Sequence, residues 1–276
     1  MNVLNQKQKI ILHFHIFKNA GSTIEWILQK NFPDKTLSID GKNPGDIIHM
    51  DKIVSVLRER KSITAVSSHQ IRYPIPTDTE FEFIPFLFIR HPIDRAFSIY
   101  YFKRKETDDS IGSVKARTLN LQDFIKWNIN LEGYMVMKNF QALFLSDKDI
   151  KSDIDENDLD LVIKRMQNCS IIGVVDRMDE SLVLAEEVFK KHFPYIDLSY
   201  IKQNVSKERK NNLKERLLEE KNKIGKELFE RLENSNHLDM KLYNETNKEL
   251  DNRIKNIHNF KNKLELFQEK CRSLSK

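Results

Sequence analysis

The stretch that decides the fold is HIFKNAGST, residues 15–23, which joins an apolar run to a segment with helical spacing. Residues 9–17 are apolar and rich in β-branched side chains, which predicts a strand. Ile24, Ile27 and Leu28 then recur at the spacing of one helix face. A strand that ends in a small-residue turn at a helix start presents unpaired backbone N–H groups and the positive end of the helix dipole. The stretch therefore predicts a strand, a phosphate-binding turn and a helix.

Lys18 stands in an unusual place for such a loop. A Walker A loop has its lysine directly after the second glycine, whereas Lys18 comes three residues before Gly21. Gly21 lets a phosphate approach the backbone, and Lys18 adds a full positive charge. Ser22 and Thr23 offer hydroxyl donors. An ordinary strand-to-helix turn often carries glycine and serine as well, so this stretch alone leaves both interpretations open.

Strand-like and helix-like segments alternate beyond this loop. Residues 62–68, 81–90 and 169–175 are short apolar runs that predict further strands. Residues 47–60 have the pattern of an amphipathic helix, and Pro92 suits the first turn of another helix. This alternation predicts the α/β class, with a parallel β-sheet flanked by helices.

The composition changes after about residue 205, where lysine, glutamate, asparagine and leucine predominate and predict a helical C-terminal region. We expect one α/β domain over residues 1–250 and a helical tail over residues 251–276. Apolar residues of the tail recur at helical spacing, but Lys261 interrupts them. A helix packed on its own domain and a coiled coil both remain open, and the coiled coil would allow a homo-oligomer through the C-terminal helices.

The composition and net charge limit the kinds of partner that the chain is expected to bind. The chain has 276 residues and a net charge of only +5, from 46 Lys and Arg against 41 Asp and Glu. This mild excess fits anionic ligands and is far from the dense basic stripe of a nucleic-acid binder. Cys169 and Cys271 have no metal-ligand spacing and predict no disulfide framework. The apolar run at residues 10–17 is too short and too polar for a signal sequence or a membrane span, so we expect a cytoplasmic protein. The sequence has no convincing metal-ligand cluster, and we expect no metal.

A second candidate site is FIRHPIDRAFSIYYF, residues 88–102. Arg90 ends a predicted buried strand, at the edge where open α/β sheets bind their ligands. Ser98 lies two turns into the following helix, so a guanidinium and a hydroxyl can grip one phosphate together. The alternative is structural, with Arg90 and Arg95 paired to carboxylates such as Asp94 and Ser98 facing the core.

Together the two stretches resemble the sulfotransferases that depend on 3′-phosphoadenylyl sulfate (PAPS), in particular the branch acting on carbohydrate hydroxyls. The first motif of that family has the form HIPKT[AG]G[ST][ST], and the second has the form LR[DN]PxxRxxSx[YF]. Phe17, Asn19 and His91 depart from the usual residues of these patterns, whereas Lys18, Gly21, Ser22 and Thr23 are intact. Weaker similarities lie at residues 137–146, 171–184, 203–210 and 236–246.

The resemblance implies a P-loop-type α/β fold and a way of holding the donor. It puts the 5′-phosphate of PAPS on residues 18–23, that is Lys18, Asn19, Ala20, Gly21, Ser22 and Thr23. It puts the 3′-phosphate on Arg90 and Ser98, with Lys207 and Arg209 of the 203–210 loop also reaching the nucleotide. As the acceptor hydroxyl attacks sulfur in line, Lys18 and the loop amides would stabilise charge on the leaving phosphate, without a metal.

His69 is the candidate general base for this attack. It directly follows a predicted buried strand, so it should emerge at the same sheet edge, and histidine suits proton transfer near neutral pH. Carbohydrate sulfotransferases have a histidine in a comparable place. Glu25 and His49 are reserve candidates, and a structural loop histidine is the alternative for His69.

Two other functions remain open from the sequence. A P-loop kinase-like enzyme would need a Gly-Lys-Ser/Thr order and a strand-end aspartate for Mg²⁺, and neither stands at a convincing place. A catalytically degenerate interaction protein built around the helical C-terminal region is the other. We expect a nucleotide donor and a hydroxyl acceptor, a carbohydrate being favoured by the resemblance, as the partners.

Overall fold

The computed structural model describes residues 7–43, 45–131, 136–149, 151–203, 210 and 212–274. Across these residues, five parallel strands form one sheet in the order β2-β3-β1-β4-β5. The strands are β1 (Gln8–Phe14), β2 (Thr36–Ser38), β3 (Ala65–Ser68), β4 (Phe81–Ile89) and β5 (Ile171–Val174). The predicted α/β class with a parallel sheet is therefore confirmed.

The helices alternate with the strands and then continue alone to the C-terminus. In the described ranges they are α1 (Gly21–Asn31), α2 (Met50–Glu59), α3 (Pro92–Lys103), α4 (Ile111–Thr118), α5 (Leu121–Asn130), α6 (Phe140–Leu145), α7 (Glu156–Gln167), α8 (Met178–Phe189), α9 (Leu213–Ile224), α10 (Lys226–Asn234), α11 (His237–Lys255) and α12 (Phe260–Leu274). A short 3₁₀ helix, Val175–Arg177, joins β5 to α8. The predicted helical C-terminal region is confirmed.

The chain divides into two compact units. The first comprises residues 1–89, 164–204 and 246–276 and holds the whole sheet with α1, α2, α8 and α12. The second comprises residues 90–163 and 205–245 and is helical. Helix α11 runs through residue 250 without a break, and the division into a domain and a tail at that residue stays a prediction.

The sheet explains the apolar runs of the sequence. β1 lies between β3 and β4, and its side chains from Ile10 to Leu12 are completely buried. A parallel strand covered on both faces is apolar throughout instead of alternating. The helix face predicted after the loop packs into the same core, which also receives Phe189 of α8 and Phe267 of α12.

Two features of the first unit were not settled by the sequence. β2 is only three residues long and has no apolar pattern, and it was not predicted, yet it pairs with β3 from Thr36↔Ala65 to Ser38↔Ser67. Helix α12 packs against α8 through Phe267, which is one of the two arrangements that the sequence left open. Self-association through the C-terminal helices stays a prediction.

None of the helices in the described part of the chain has the length and apolar character needed to cross a membrane.

Candidate functional site

The turn between β1 and α1 combines left-handed backbone with the start of a helix. Lys18 and Ala20 both adopt the left-handed conformation, with φ of 67° and 64°. Helix α1 starts at Gly21, its N-cap Ala20 supplies no capping side chain, and no acidic residue lies in its first turn. The first N–H groups of a helix have no intrahelical acceptor, so this end of α1 favours a negative charge.

Asn19 anchors the turn to the sheet. Its side chain is buried and donates from Nδ2 to the carbonyl oxygen of Phe88 on β4, at 2.7 Å. Its backbone N–H donates to the carbonyl of Ile16 at 3.0 Å. The residue that replaces the usual threonine thus ties the loop to the strand beside β1.

Gly21 has a packing reason as well as the proposed ligand-binding one. The imidazole of His15 lies so close that a Cβ atom on Gly21 would be 1.7 Å from Nε2 of His15. A Cβ atom does not approach a non-bonded heavy atom within about 3 Å, because the two atoms would overlap, and a close-packed interior leaves little room for either to move. Any residue other than glycine would push the histidine away or shift the start of α1.

The remaining loop residues differ in exposure. Lys18 is half-buried, with its ammonium 6.0 Å from the ring centroid of Phe17, the residue that replaces the usual proline. Ser22 is exposed, whereas Thr23 is buried and its hydroxyl oxygen accepts a hydrogen bond from the backbone N–H of Gln203 at 3.4 Å. Lys207 and Arg209 lie outside the described residues.

The strand order brings His69 together with two residues from neighbouring strand ends. Register pairs Phe14 with Ser68 and Ser38 with Ser67. Because parallel strands end at the same edge of a sheet, the residues that follow β1, β2 and β3 meet there. The rings of His15 and His69 consequently stack with centroids 3.7 Å apart.

Asp40, which follows β2, holds His69 from the other side. One carboxylate oxygen lies 2.9 Å from Nδ1 of the imidazole. The other accepts from the backbone N–H of His69 at 2.8 Å and from the hydroxyl of Ser68 at 3.0 Å. Asp40 was not predicted from the sequence, because it follows β2, a strand that has no apolar pattern.

A second chain of hydrogen bonds runs behind His15. Its Nδ1 lies 3.2 Å from the Glu25 carboxylate, which also accepts from the hydroxyl of Ser67 at 2.9 Å. Since that hydroxyl gives its proton to Glu25, it accepts from Nδ1 of His13 at 2.9 Å. His13 and His15 are therefore tied into this network, and the Glu25 carboxylate accepts hydrogen bonds from both His15 and Ser67.

The charges of this network follow from burial and hydrogen bonding. Burial lowers the pKa of His13 well below its ordinary value, and burial also lowers the pKa of His15. Burial acts to raise the pKa of Asp40, but hydrogen bonds from His69 outweigh it and bring the pKa to about 2. Burial likewise opposes the hydrogen bond from His15 to Glu25, and the net effect is a lowered pKa of Glu25. At neutral pH the cluster thus holds two carboxylates, with the His13 and His15 rings uncharged.

Glu25 and His49 were the reserve candidates for the base. Glu25 is ionised but accepts hydrogen bonds from His15 and Ser67, which makes it a weak proton acceptor. His49 is exposed at the N-cap position of α2 and makes no capping hydrogen bond there. His69 stands at the strand end with its Nε2 outside the contact to Asp40, and whether it is the base stays a prediction.

Arg90 is the first residue of the second unit and is buried against Asp94. Its Nε and one terminal nitrogen both lie 2.7 Å from the same oxygen of Asp94. Arg216 at the start of α9 donates to the other oxygen at 2.9 Å. Two guanidinium groups therefore share the carboxylate of Asp94. The pairing of Arg90 with Asp94, the structural alternative in the sequence, is present.

Ser98 lies on α3, and His91 is the residue directly before this helix. Ser98 is half-buried on α3, one turn beyond Asp94 and therefore on the same helix face. His91 precedes the helix and is buried, with its ring against Tyr243 at 5.1 Å between centroids. Burial lowers the pKa of His91 to about 4, so at neutral pH this departure from the family pattern adds no charge beside Arg90.

Two of the weaker similarities in the sequence lie side by side in the second unit. Asp239 of α11 is completely buried and accepts from the backbone N–H of Gln141 at 3.1 Å and of Ala142 at 2.8 Å. Asn139 accepts from the backbone N–H of Leu238 at 3.0 Å. Residues 137–146 and 236–246 therefore support each other and the backbone of Arg90, to which Gln141 is bonded.

Comparison with known proteins agrees with this arrangement. A parallel α/β sheet with candidate ligand groups at its carboxyl edge belongs to the class in which ligands bind at that edge. The sulfotransferase family is matched over residues 2–244, and the chain belongs to this family. An uncharacterised protein of Archaeoglobus fulgidus is 30% identical over 239 residues, which cover 85% of this chain and 94% of the relative. Among the described residues, no group of three or more His, Cys, Asp or Glu side chains is placed to hold a metal ion.

Proposed function

We propose that the chain transfers a sulfuryl group from PAPS to an acceptor hydroxyl, with a carbohydrate as the favoured acceptor and His69 as the general base. Membership of the sulfotransferase family supports sulfuryl transfer in general. The observation that supports a phosphate-bearing donor is the turn before α1, where Lys18 and Ala20 are both left-handed and a helix N-terminus follows. This combination suits a phosphate group and needs no Walker A order.

The donor would supply the sulfuryl group and a phosphate as the leaving group. In this proposal the backbone amides of residues 20–22 and the hydroxyl of Ser22 bind the 5′-phosphate. Lys18 lies next to that position and offsets the negative charge that grows on the leaving oxygen. Asn19 acts mainly by holding the turn to Phe88, and Thr23 lies at the buried side of the helix start.

Arg90 and Ser98 form the proposed site for the 3′-phosphate. Arg90 and Arg216 bring two guanidinium groups to the carboxylate of Asp94, and such groups suit the binding of an anion. A buried guanidinium whose position is held by a carboxylate is suited to binding phosphate through two N–H groups. The roles of Lys207 and Arg209 remain proposals based on the resemblance.

His69 takes the proton of the acceptor hydroxyl in this scheme. It follows β3 at the carboxyl edge of the sheet, the edge at which the β1–α1 turn also lies. A general base of this kind contributes about 10²–10⁴ in rate. A carbohydrate offers hydroxyl groups whose protons must be removed as the oxygen attacks, which is the task that a histidine performs near neutral pH.

The first test is thermal stability with adenosine 3′,5′-bisphosphate, compared with ATP and Mg²⁺. A ligand at about 100 times its dissociation constant stabilises the folded state by about 2.7 kcal/mol, which shifts the midpoint measurably. We expect a shift with the bisphosphate alone, lost in Arg90→Ala and kept in Arg58→Ala, a control at a half-exposed arginine. A shift with ATP and Mg²⁺ instead would indicate a kinase-like enzyme.

The second test is transfer itself. Sulfuryl transfer from labelled PAPS to a panel of oligosaccharides should disappear in Lys18→Ala and persist in Lys226→Ala, an exposed lysine used as the control. Bisphosphate binding without transfer to any hydroxyl compound would leave the interaction-protein alternative. Transfer only to small phenols or lipids would retain the donor and replace the carbohydrate acceptor.

A further inference from the structure

We propose that Asp40 is a positioning residue that holds His69 with its proton on Nδ1 and its lone pair on Nε2. The inference rests on the proposed function only in its consequence for catalysis, because the tautomer itself is measurable without any substrate. The observations that carry it are the 2.9 Å contact between the Asp40 carboxylate and Nδ1 and the stacking of His69 on His15.

The carboxylate decides which ring nitrogen carries the proton. An ionised carboxylate only accepts hydrogen bonds, so a ring nitrogen in contact with it must donate. Nδ1 of His69 therefore carries hydrogen, and in the neutral ring the lone pair is on Nε2. The hydrogen bonds that His69 donates also keep the pKa of Asp40 at about 2, so the carboxylate is ionised throughout the neutral range.

Asp40 itself is held firmly enough to orient a ring. One oxygen accepts from the hydroxyl of Ser68 and from the backbone N–H of His69, while the other faces the imidazole. The backbone N–H of Ile39 donates to the carbonyl of Ser67 at 3.0 Å and extends the pairing of β2 with β3 to the residue before Asp40. The carboxylate of Asp40 is thus held by β3, the strand that His69 directly follows.

The face of His69 that packs on His15 is fixed as well. His15 is buried and is oriented by the carboxylate of Glu25, and its ring lies 3.7 Å from that of His69. Burial lowers the pKa of His15, so this neighbour remains uncharged and does not repel a proton arriving on His69. Arg72 donates to the carbonyl of His69 at 3.1 Å and fixes the backbone of the same residue.

The consequence for transfer is a defined proton acceptor. As the acceptor oxygen bonds to sulfur, its O–H bond breaks and the proton moves to Nε2 of His69, while the bond from sulfur to the leaving phosphate breaks with its electron pair. The imidazolium that forms lies against the Asp40 carboxylate, which offsets its charge. In a ring with the opposite tautomer, Nε2 would carry hydrogen and could not accept.

Histidine ¹⁵N NMR of the free protein tests the tautomer. At mildly alkaline pH we expect the His69 ring, assigned by its loss in His69→Ala, to show protonated Nδ1 and unprotonated Nε2. Asp40→Asn should shift this ring towards the opposite tautomer or a mixture, whereas Asp40→Glu should restore it and Asp51→Asn, an exposed control, should leave it unchanged. An unchanged spectrum in Asp40→Asn would overturn the proposal.

Kinetics then separate positioning from a structural role. We expect Asp40→Asn to lower kcat about 10²-fold, with bisphosphate affinity and thermal midpoint close to those of the unmodified protein. The double variant with His69→Ala should lose little more than His69→Ala alone, because the two residues act as one unit. Equal kcat in Asp40→Asn would contradict the proposal. Absence of transfer in the unmodified protein would instead refute the proposed function, and the NMR result would still decide the role of Asp40.

Discussion

Gln141 pairs with both backbone hydrogen-bonding groups of Arg90. Its Oε1 accepts from the N–H of Arg90 at 2.9 Å, and its Nε2 donates to the carbonyl of Arg90, also at 2.9 Å. Both residues are buried, and the same Nε2 lies 3.3 Å from the Asp239 carboxylate. The Gln141 side chain thus forms the two backbone hydrogen bonds that a neighbouring strand would otherwise form with Arg90, the residue proposed to bind phosphate.

Gln141→Ala should destabilise the protein by at least about 2 kcal/mol, because it leaves the buried N–H and C=O of Arg90 without their partners. It should also weaken bisphosphate binding, since the backbone that carries the guanidinium loses its support. Urea unfolding and a titration measure the two effects. Gln122→Ala, which removes an exposed side-chain hydrogen bond, serves as the control and should cost less than about 0.5 kcal/mol. Equal losses in the two variants would show that Gln141 does not support Arg90.

Gly21→Ala should lower the thermal midpoint and bisphosphate affinity together, because the new Cβ would overlap the ring of His15. The double variant Gly21→Ala with His15→Ala should recover part of the stability by making room. Gly112→Ala is a matched control on helix α4, where a Cβ meets its nearest atom only at 3.9 Å. That change should be neutral or stabilise by up to about 1 kcal/mol. A Gly21→Ala protein with unchanged midpoint would contradict the packing argument.

The free energy of unfolding should fall as the pH drops below about 6.5. The folded-state pKa values of His13 and His15 are lowered by burial, so the unfolded chain binds protons that the folded chain excludes. The contribution of these two rings to stability is therefore fully present above the pKa of the unfolded chain. It is lost as the pH falls towards the pKa of the folded chain, by at most about 1.4 kcal/mol per pH unit for each ring. His13→Gln should reduce the slope of stability against pH between pH 7 and 5, measured by urea unfolding. A slope unaffected by His13→Gln would show that this ring is not excluded from protonation.

Phe267→Ala should cost about 3–5 kcal/mol, the usual range for a buried phenylalanine. The ring of Phe267 is 4% exposed and belongs to the core cluster that α12 shares with α8, whereas Leu266, the preceding residue, is 58% exposed. Leu266→Ala is therefore the matched control and should cost less than about 0.5 kcal/mol. Denaturant unfolding distinguishes the two. A small effect of Phe267→Ala would mean that α12 contributes little to the fold in solution.

The local sequence pattern was enough to predict four of the strands and helix α1. The apolar runs predicted four of the strands, and the spacing of Ile24, Ile27 and Leu28 predicted α1, because burial on both faces of a parallel sheet and on one face of a helix leaves a visible pattern. Strand β2 left none, since Thr36–Ser38 is a short edge segment that is only partly buried. It exists through its pairing with β3 and not through its own composition.

The sequence by itself determined a parallel α/β fold, a lysine-containing turn at a strand–helix junction, and a histidine at a strand end. Only the tertiary structure decided what stands beside these groups. The order β2-β3-β1 places Asp40 and His15 on either side of His69, although Asp40 and His69 are 29 residues apart along the chain and no local pattern connects the three residues. Hydrogen bonds between side chains from different strand ends depend on strand order and register, and these are set by how the whole sheet packs.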